Sequence, residues 1–503
     1  MAPALILLVI LSVGCQLVTP ATPLFPDHVA SVIAYASAAP RFPVPDLQQQ
    51  YEAFNPNYAA EKANLTAALK DAYTSFEMIV AAHPGVVTTC MIQRLTQAKL
   101  QIIQTANFSL GWTIMAEIDQ QLTTPPQSWP DDGQSPFDGG WGNCFHGFNW
   151  RLEATQGAVA ALAEQGRVPA IPVTMLDQVN NPSLLLECLR SNILSDVLRT
   201  GTNTYIAANQ INSNLVRMIH RRRPTNYAWH PDLFSTLSNF TFNEWRNTTS
   251  GYWGPSYAMA DGAVLQVPDL STTFHTVKYY TEFGIDVGMW AELAQTTVDL
   301  WDVPFPWGQN AGPAPSPGVG VPFVHNMFDV ATLFGLAWPG ASFSARAAMA
   351  AQSQVLLNFT LALIGDDGVF PTTPYSESSA TEQYFGSGTL RLFGFFSSSA
   401  CFWSSEAPPG ACMAGYTYES RRVLYDKMAS SMFGALAAKK GAGGEYYSAL
   451  EGLGLVVPLD MRSAFNGSAA PIPPLLPRTP LPVNTTGLTW SAVFTWAISA
   501  WSS

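Results

Sequence analysis

The sequence predicts a mainly α-helical protein: an α/α toroid, an incomplete barrel of helical hairpins, with long aromatic-rich loops and a small β element. Three observations predict it. Apolar residues recur every three or four positions in one segment after another. Helices of roughly ten to twenty residues alternate with loops rich in Trp, Gly and Pro, which would line one mouth of a toroid. Period-two alternation is scarce, with Gly262 to Val267 the best candidate strand. No repeat of fixed length is present, so an irregular helical bundle stays open as the other arrangement.

The elements follow in order. Residues 1–21 read as a signal peptide: Leu5 to Val13 is a short apolar run, then small and polar residues lead to Ala21, with Pro20 and Pro23 barring a longer helix. Only the amino terminus supplies positive charge ahead of that run. Leu65, Leu69, Tyr73, Phe76 and Val80 form one helical stripe, and Leu95, Ile102, Ala106, Leu110 and Ile118 a second helix or helix pair. Asn149 to Gln165 is Ala-rich and helical. Leu184 to Arg199 carries Leu189, Ile193, Val197 and Leu198, and Gly201 is placed to end it. Asn203 opens the next helix, with Ile206, Ile211, Leu215 and Ile219, up to Pro224. Phe283, Val287, Trp290, Ala294 and Trp301 give another stripe. Met327 to Ala337, Ser344 to Ile364, Thr381 to Phe396 and Glu419 to Lys439 complete the set. Together these make one helical domain over residues 22–463, interrupted by a Pro- and Gly-rich surface loop from Trp301 to Pro322. Residues 464–487 form a linker that is extended and semi-rigid through Pro471 to Pro482. Residues 488–503 are an apolar tail, too short for an ordinary membrane span. Leu476, Pro477 and Arg478 stand where a glycolipid-anchor signal needs small residues, so docking on the domain is the preferred reading.

Composition narrows the function classes. Of 503 residues, 48% are hydrophobic and 12% charged, about half the usual charged share. Such a chain buries a large core, and glycans can keep its surface wet. Asn-x-Ser/Thr sites stand at Asn64, Asn107, Asn239, Asn247, Asn358, Asn466 and Asn484; behind a signal peptide they point to a secreted, extracellular glycoprotein. A net charge of −12 and a pI near 5.0 argue against nucleic acid as a partner. With Cys15 lost in the signal, Cys90, Cys144, Cys188, Cys401 and Cys412 allow two disulfides and one free thiol. Cys401 and Cys412, bracketing a Pro-Pro-Gly loop, are the preferred pair. No zinc spacing, phosphate loop, dinucleotide fingerprint or Gly-x-Ser-x-Gly elbow occurs, and neither metal nor cofactor is expected.

The stretch from Gly251 to Asp286 carries most of the functional signal. Glycines, aromatics, His275 and the pair Tyr279-Tyr280 crowd a loop and the helix after it. That composition suits a stacking surface for sugar rings with an acid or base beside it. The run Arg217, His220, Arg221, Arg222, Arg223 reads as a solvated helix end, or as a patch for an acidic sugar.

Three segments resemble the hyaluronate and chondroitin lyases, polysaccharide lyase family eight, and their toroid relatives. Thr200-Gly201-Thr202-Asn203 is similar to that family's Thr-Gly-x-Asn, whose asparagine is catalytic. Ala260-Asp261-Gly262-Ala263-Val264-Leu265-Gln266, with Tyr279-Tyr280-Thr281-Glu282-Phe283-Gly284 after it, resembles Asp-Gly-Ser-hydrophobic-x-x-His followed by Tyr-x-Gly-x-Tyr-Gly. Phe148-Asn149-Trp150 is similar to the Asn-Trp of an aromatic patch. Their order and approximate spacing agree with the family over Phe148 to Asp286, under a third of the chain. Three departures stand against it. Val267 replaces the family histidine, Phe283 replaces the tyrosine before glycine, and Phe334-Gly335-Leu336 stands where a Gly-Arg pair is expected.

The resemblance implies β-elimination on a uronate-containing polysaccharide. Removing the proton α to the carboxylate builds an enolate-like anion, which the Asn203 amide would stabilise. His275 would take the proton, and Tyr280 would protonate the leaving oxygen, both in relocated roles. Trp141, Asn149, Trp150, Trp253 and Arg221 would bind the sugar chain. Each has a plainer structural reading: Asn203 a helix cap, His275 an ordinary loop or helix-start residue, the tyrosines and tryptophans core aromatics. Two rivals remain. A glycoside hydrolase would draw two carboxylates from Asp261, Asp286, Asp329, Asp366, Asp367 and Glu382. A catalytically degenerate protein would bind glycans or a cell-surface partner without cleaving.

Overall fold

The computed structural model describes residues 47–104, 107–221, 226–300, 324–362 and 379–393, and positions 364, 370, 395, 424 and 428. The expected signal peptide, the expected loop from Trp301 to Pro322, the expected Cys401/Cys412 pair, and the expected linker and tail lie outside these residues. So does the helix expected at Glu419 to Lys439, apart from Leu424 and Met428. The described protein is mainly helical, with one small three-stranded sheet. It divides into two compact units at Glu292/Leu293.

The first unit begins with α1 (Leu47–Phe54), α2 (Tyr58–Ala82), α3 (Thr89–Gln104) and α4 (Ser109–Leu122). The second apolar stripe is thus a helix pair. Asn107 turns the chain between its members by accepting from the Ser109 N–H at 3.1 Å. Helices α2, α3 and α4 pack on one another over Leu65, Leu69, Leu95, Ile114 and Ile118, all buried. The stripe of α2 sinks only in its first half: Leu65 and Leu69 are buried, whereas Tyr73, Phe76 and Val80 stay part-exposed. Cys90, in the first turn of α3, is bridged to Cys144, and Cys188 is a free thiol.

Next come α5 (Phe148–Glu164) and α6 (Pro182–Ile193), the latter capped by the Asn181 side chain on the Ser183 N–H. Here the expected helix from Leu184 to Arg199 breaks. Leu194–Ser195 forms strand β1, and one turn of helix, α7 (Val197–Thr200), follows under an Asp196 cap. Gly201 ends that turn in the left-handed conformation, φ +69°. The break follows from pairing: β1 runs parallel to β2 (Ser256–Ala258), which pairs antiparallel with β3 (Val264–Gln266). Strand β3 falls inside the segment from Gly262 to Val267.

The helix opened near Asn203 is α8 (Tyr205–Gln210), a π-helical turn (Ile211–Leu215) and α9 (Val216–Arg221). A second π turn (Phe240–Trp245) extends α10 (Leu233–Asn239). Then α11 (Leu270–Glu282) is buried along its whole length from Leu270 to Tyr280. It packs on α8 and the first π turn, while α8 also meets α5 and α6. The stripe from Phe283 to Trp301 is not continuous. Gly284, Gly288 and Met289 take positive φ, so α11 stops at Glu282 and α12 (Trp290–Leu300) starts afresh.

The second unit holds most of α12, with α13 (Val324–Ala337), α14 (Phe343–Ala362) and α15 (Ser379–Leu392). Helix α13 packs against both α14 and α15 through Met327, Val330, Leu333 and Phe334. Among the described residues, no helix is long and apolar enough to cross a membrane.

Candidate functional site

The first unit brings Asn203 into a buried cluster of tyrosines and one aspartate. The chain from Thr200 to Thr204 is zipped onto the end of β1: Asp196 N–H donates to the Thr202 carbonyl at 3.0 Å, and Thr204 N–H to Ser195 Oγ at 2.9 Å. This fixes Asn203 at the entry to α8. Its Oδ1 accepts from the Tyr205 N–H at 2.9 Å, so it serves the start of α8 from one residue ahead of the N-cap position, Thr204. Its amide nitrogen is left for other work. Nδ2 donates to the Tyr51 hydroxyl oxygen of α1 at 2.8 Å, and the Tyr257 hydroxyl of β2 also shares a hydrogen bond with this side chain. Tyr51 is 0% exposed, and Tyr257 and Tyr205 are buried with it. Burial holds the Tyr51 and Tyr257 hydroxyls well above the usual phenol range, so both stay protonated.

Asp269 closes the cluster. It caps α11, accepting from the Thr272 N–H at 2.6 Å, and its own N–H donates to the Trp253 carbonyl at 2.9 Å. Burial raises its pKa to about 7, against the lowering effect of its bonds from Thr272 and Tyr205. The folded protein therefore keeps a proton on Asp269 up to about pH 7, where the unfolded chain has lost it near 4. Protons bound to the folded state alone make stability fall as pH rises across that window, then level off. Denaturant unfolding is expected to lose on the order of 3 kcal/mol between pH 4 and 7.5 from this group. Asp269→Asn, which keeps a good cap, is expected to flatten that slope, and an unchanged slope would refute the assignment.

His275 lies on α11 and not in a loop or at a helix start. The residue is 3% exposed, with Nδ1 2.8 Å from the Ser271 carbonyl. That contact puts the proton on Nδ1 and the lone pair on Nε2. Around it runs a polar seam between α8, its π turn and α11: Asn209 Nδ2 donates to Ser271 Oγ at 2.9 Å, and Asn212 Nδ2 to Thr276 Oγ1. The seam continues to α5 through Gln210, which donates to Glu153 at 2.8 Å, and through Arg217, which donates to Gln156 at 2.9 Å. π turns of this kind recur at functional sites, because they re-aim side chains along an otherwise regular helix.

Tyr280 and Trp253 serve the core. The Tyr280 hydroxyl donates to Thr241 Oγ1 at 3.3 Å, and burial pushes its pKa up to about 12. Trp253 is fully buried and its Nε1–H donates to the Thr241 carbonyl at 2.7 Å, so it offers no face to a sugar. The basic run turns inward too. Arg217 is buried, with its guanidinium 5.0 Å from the Tyr279 ring centroid, and Arg221 pairs with Glu282. His220 stacks on Phe283 at 3.8 Å, and burial lowers its pKa, helped by the Arg221 charge. This is neither a solvated helix end nor an open basic patch over Arg217 to Arg221; Arg222 and Arg223 lie outside the described residues.

Trp141 lies in a braced, part-exposed aromatic loop that leads into α5, and Asn149 and Trp150 lie part-exposed in the first turn of that helix. Asp132 accepts from the Gly142 and Asn143 N–H groups, each at 2.8 Å, and from Gln93 at 2.7 Å. Arg151 grips Asp138 with two bonds of 2.7 and 2.8 Å, which hold that carboxyl well below the usual range. Cys144 ties the same loop to α3. Trp150 stacks on Phe145 at 5.5 Å, Asn149 donates to Asn192 at 3.3 Å, and Phe137 is 93% exposed. Of the expected glycosylation sites, Asn64, Asn107 and Asn239 are exposed and Asn247 is half-buried. Asn358 lies on α14 with its side chain outside the description, as Asn466 and Asn484 are altogether.

Sequence reasoning named Asn203 but missed Tyr51, Tyr257 and Asp269. Tyr257 and Asp269 lie within the stretch from Gly251 to Asp286, where they went unmarked, and Tyr51 stands in a polar segment that carries no motif. A scan against protein-family models finds no matching family, and searches of the curated proteins and of the solved structures find no match.

Proposed function

We propose that this chain is a secreted carbohydrate-active protein, a polysaccharide lyase of family-eight type that cleaves a uronate-containing polysaccharide by β-elimination on an α/α toroid. The observation that carries the reading is the placement of the Asn203 amide at the entry to α8 beside the Tyr257 hydroxyl. β-Elimination asks for those groups. An amide N–H stabilises the charge that builds on the carboxylate as the α proton leaves. A phenol kept protonated by burial donates to the departing glycosidic oxygen, and Tyr257 is the phenol we assign to that step in place of Tyr280. His275, with its lone pair directed to Nε2 by Ser271, is the imidazole available as base. The part-exposed Trp141 and Trp150 supply stacking faces for sugar rings. The helix-lined interior of α8, α9 and α11, buried on all sides of α11, is what an inner ring of toroid helices would look like.

The burial of His275 and Tyr280, with Val267 and Phe283 in place of the family's histidine and tyrosine, favours a second reading: a degenerate relative that binds glycans without cleaving them. A hydrolase draws less support. Asp261 accepts from the Ala263 N–H, and Asp286 from Gly288 and Trp290, so each carboxylate serves its own turn. The deciding experiment incubates the secreted protein with hyaluronan, chondroitin, heparan and alginate and follows the ultraviolet band of an unsaturated uronate. A rise that Tyr257→Phe reduces by about 10²-fold or more is expected. Reducing ends without the band would mean hydrolysis, and binding without either would mean the degenerate reading.

A further inference from the structure

Helix α1 lies directly over Asn203. Its Tyr51 hydroxyl oxygen accepts from Asn203 Nδ2 at 2.8 Å. Its Phe54 ring covers Gly201, where a Cβ would meet Phe54 Cε1 at 2.9 Å. Its Gln50 points Nε2 at the Met259 sulfur, 3.9 Å away, and its Oε1 is buried with no hydrogen-bond partner. So α1 contributes an acceptor to the one amide of interest and an aromatic lid to the glycine beside it. It also gives up hydration at Gln50 without recovering it.

The helix is poorly equipped to stay folded by itself. It has eight residues, Leu-Gln-Gln-Gln-Tyr-Glu-Ala-Phe, and a helix this short is marginal without tertiary packing. Its link to α2 is the turn Asn55-Pro56-Asn57, in which the Asn57 N–H donates to Asn55 Oδ1 at 2.9 Å. Stacking of Tyr51 on Tyr58 at 5.3 Å is the aromatic contact that continues into α2.

We propose that α1 is an autoinhibitory plug: its Tyr51 hydroxyl occupies the Asn203 amide donor that a substrate carboxylate oxygen would take, and the site opens when α1 swings out on the Asn55-Pro56-Asn57 turn. This rests on the assignment of Asn203 as the carboxylate-binding amide. The plug mimics substrate in one respect, presenting an oxygen acceptor to the amide while carrying no negative charge, so a uronate carboxylate displaces it with a stronger, charge-assisted bond.

Two measurements on the full chain test it. Hydrogen exchange is expected to show the Gln50 to Phe54 amides opening at least tenfold faster than those of α8, because α1 leaves while the cluster beneath it stays folded. Tyr51→Phe keeps the ring and removes only the competing oxygen. It is expected to raise kcat/KM about fivefold on whichever uronate polysaccharide of the panel gives the ultraviolet band. Exchange of α1 in step with α8 would make it part of the core and overturn the plug. A fall in turnover in Tyr51→Phe would make Tyr51 part of the machinery and overturn it equally. Fast α1 exchange with no turnover of any polysaccharide by either protein would count against the Asn203 assignment while leaving the hinged helix standing.

Discussion

Gly254→Ala is expected to destabilise the protein by about 3 kcal/mol or more, lowering the melting temperature by roughly 6–12 °C. A Cβ at this position would lie 1.9 Å from the Val267 carbonyl oxygen and 2.9 Å from the Asp269 nitrogen, both backbone atoms that no rotamer change can move. The two strands of chain are also held together on either side. Val267 N–H donates to the Pro255 carbonyl at 3.0 Å, Asp269 N–H to the Trp253 carbonyl at 2.9 Å, and Trp245 Nε1–H to the Gly254 carbonyl at 2.9 Å. Admitting a methyl group therefore means giving up several of these bonds in a buried corner. Gly157 is the control. It sits on α5 with nothing within 4 Å of its would-be Cβ, so Gly157→Ala is expected to be neutral or to stabilise by up to about 1 kcal/mol. Thermal unfolding of the two variants side by side checks both. Equal melting temperatures would show that the corner yields more easily than its bonding implies.

That corner matters because it positions the site. Trp253 and Gly254 fix Asp269, Asp269 caps α11, and the strand beginning at Ser256 carries Tyr257 to Asn203. The aromatic and glycine-rich composition from Gly251 onward is thus spent mostly on packing. Tyr252 and Trp253 are wholly buried, whereas Trp141 and Trp150 are part-exposed.

Much of the helical framework is legible in the sequence, because an apolar stripe of period 3.6 is a local property. Segments such as Asn149 to Gln165 and Met327 to Ala337 fall within three residues of the observed α5 and α13 at each end. What local periodicity misses is set by distant partners. Leu189, Ile193, Val197 and Leu198 keep helical spacing straight through β1. The backbone leaves the helix there only because Ser256 and Tyr257 offer a strand to pair with. The stripe across Phe283 and Trp290 fails for a different reason: positive φ at Gly284, Gly288 and Met289 interrupts it, and a hydrophobic pattern carries no record of φ. The site divides the same way. Asn203 stands out because a short motif ends in it, whereas Tyr51 meets it only through tertiary packing from far along the chain. The sequence neighbours of His275 place it beside a binding loop. Folding places it one turn inside a helix whose every face is covered, since Ser271, Thr273 and Thr276 find hydrogen-bond partners there that let polar residues be buried.

Asn203→Ala is expected to lower β-elimination by 10²- to 10³-fold, the loss of about 3–4 kcal/mol that removal of an anion-stabilising donor brings. The same substitution also removes a cap, because Oδ1 accepts from the Tyr205 N–H, and that alone costs about 1 kcal/mol of stability. The two roles separate by choice of side chain. Serine is a good cap but has no amide to give, so Asn203→Ser is expected to melt close to the parent while losing nearly as much turnover as the alanine variant. Aspartate also keeps a capping oxygen, and in addition sets a negative charge where the carboxylate of the proposed uronate substrate would come. Asn203→Asp is therefore expected to lose the most activity of the three, with a KM that rises as kcat falls, since like charges repel in both the bound and the transition state. If Asn203→Ser instead turns over as fast as the parent, the asparagine is a cap and nothing more. The proton chemistry must then be sought away from α8, along the polar seam that runs from Ser271 through Thr276.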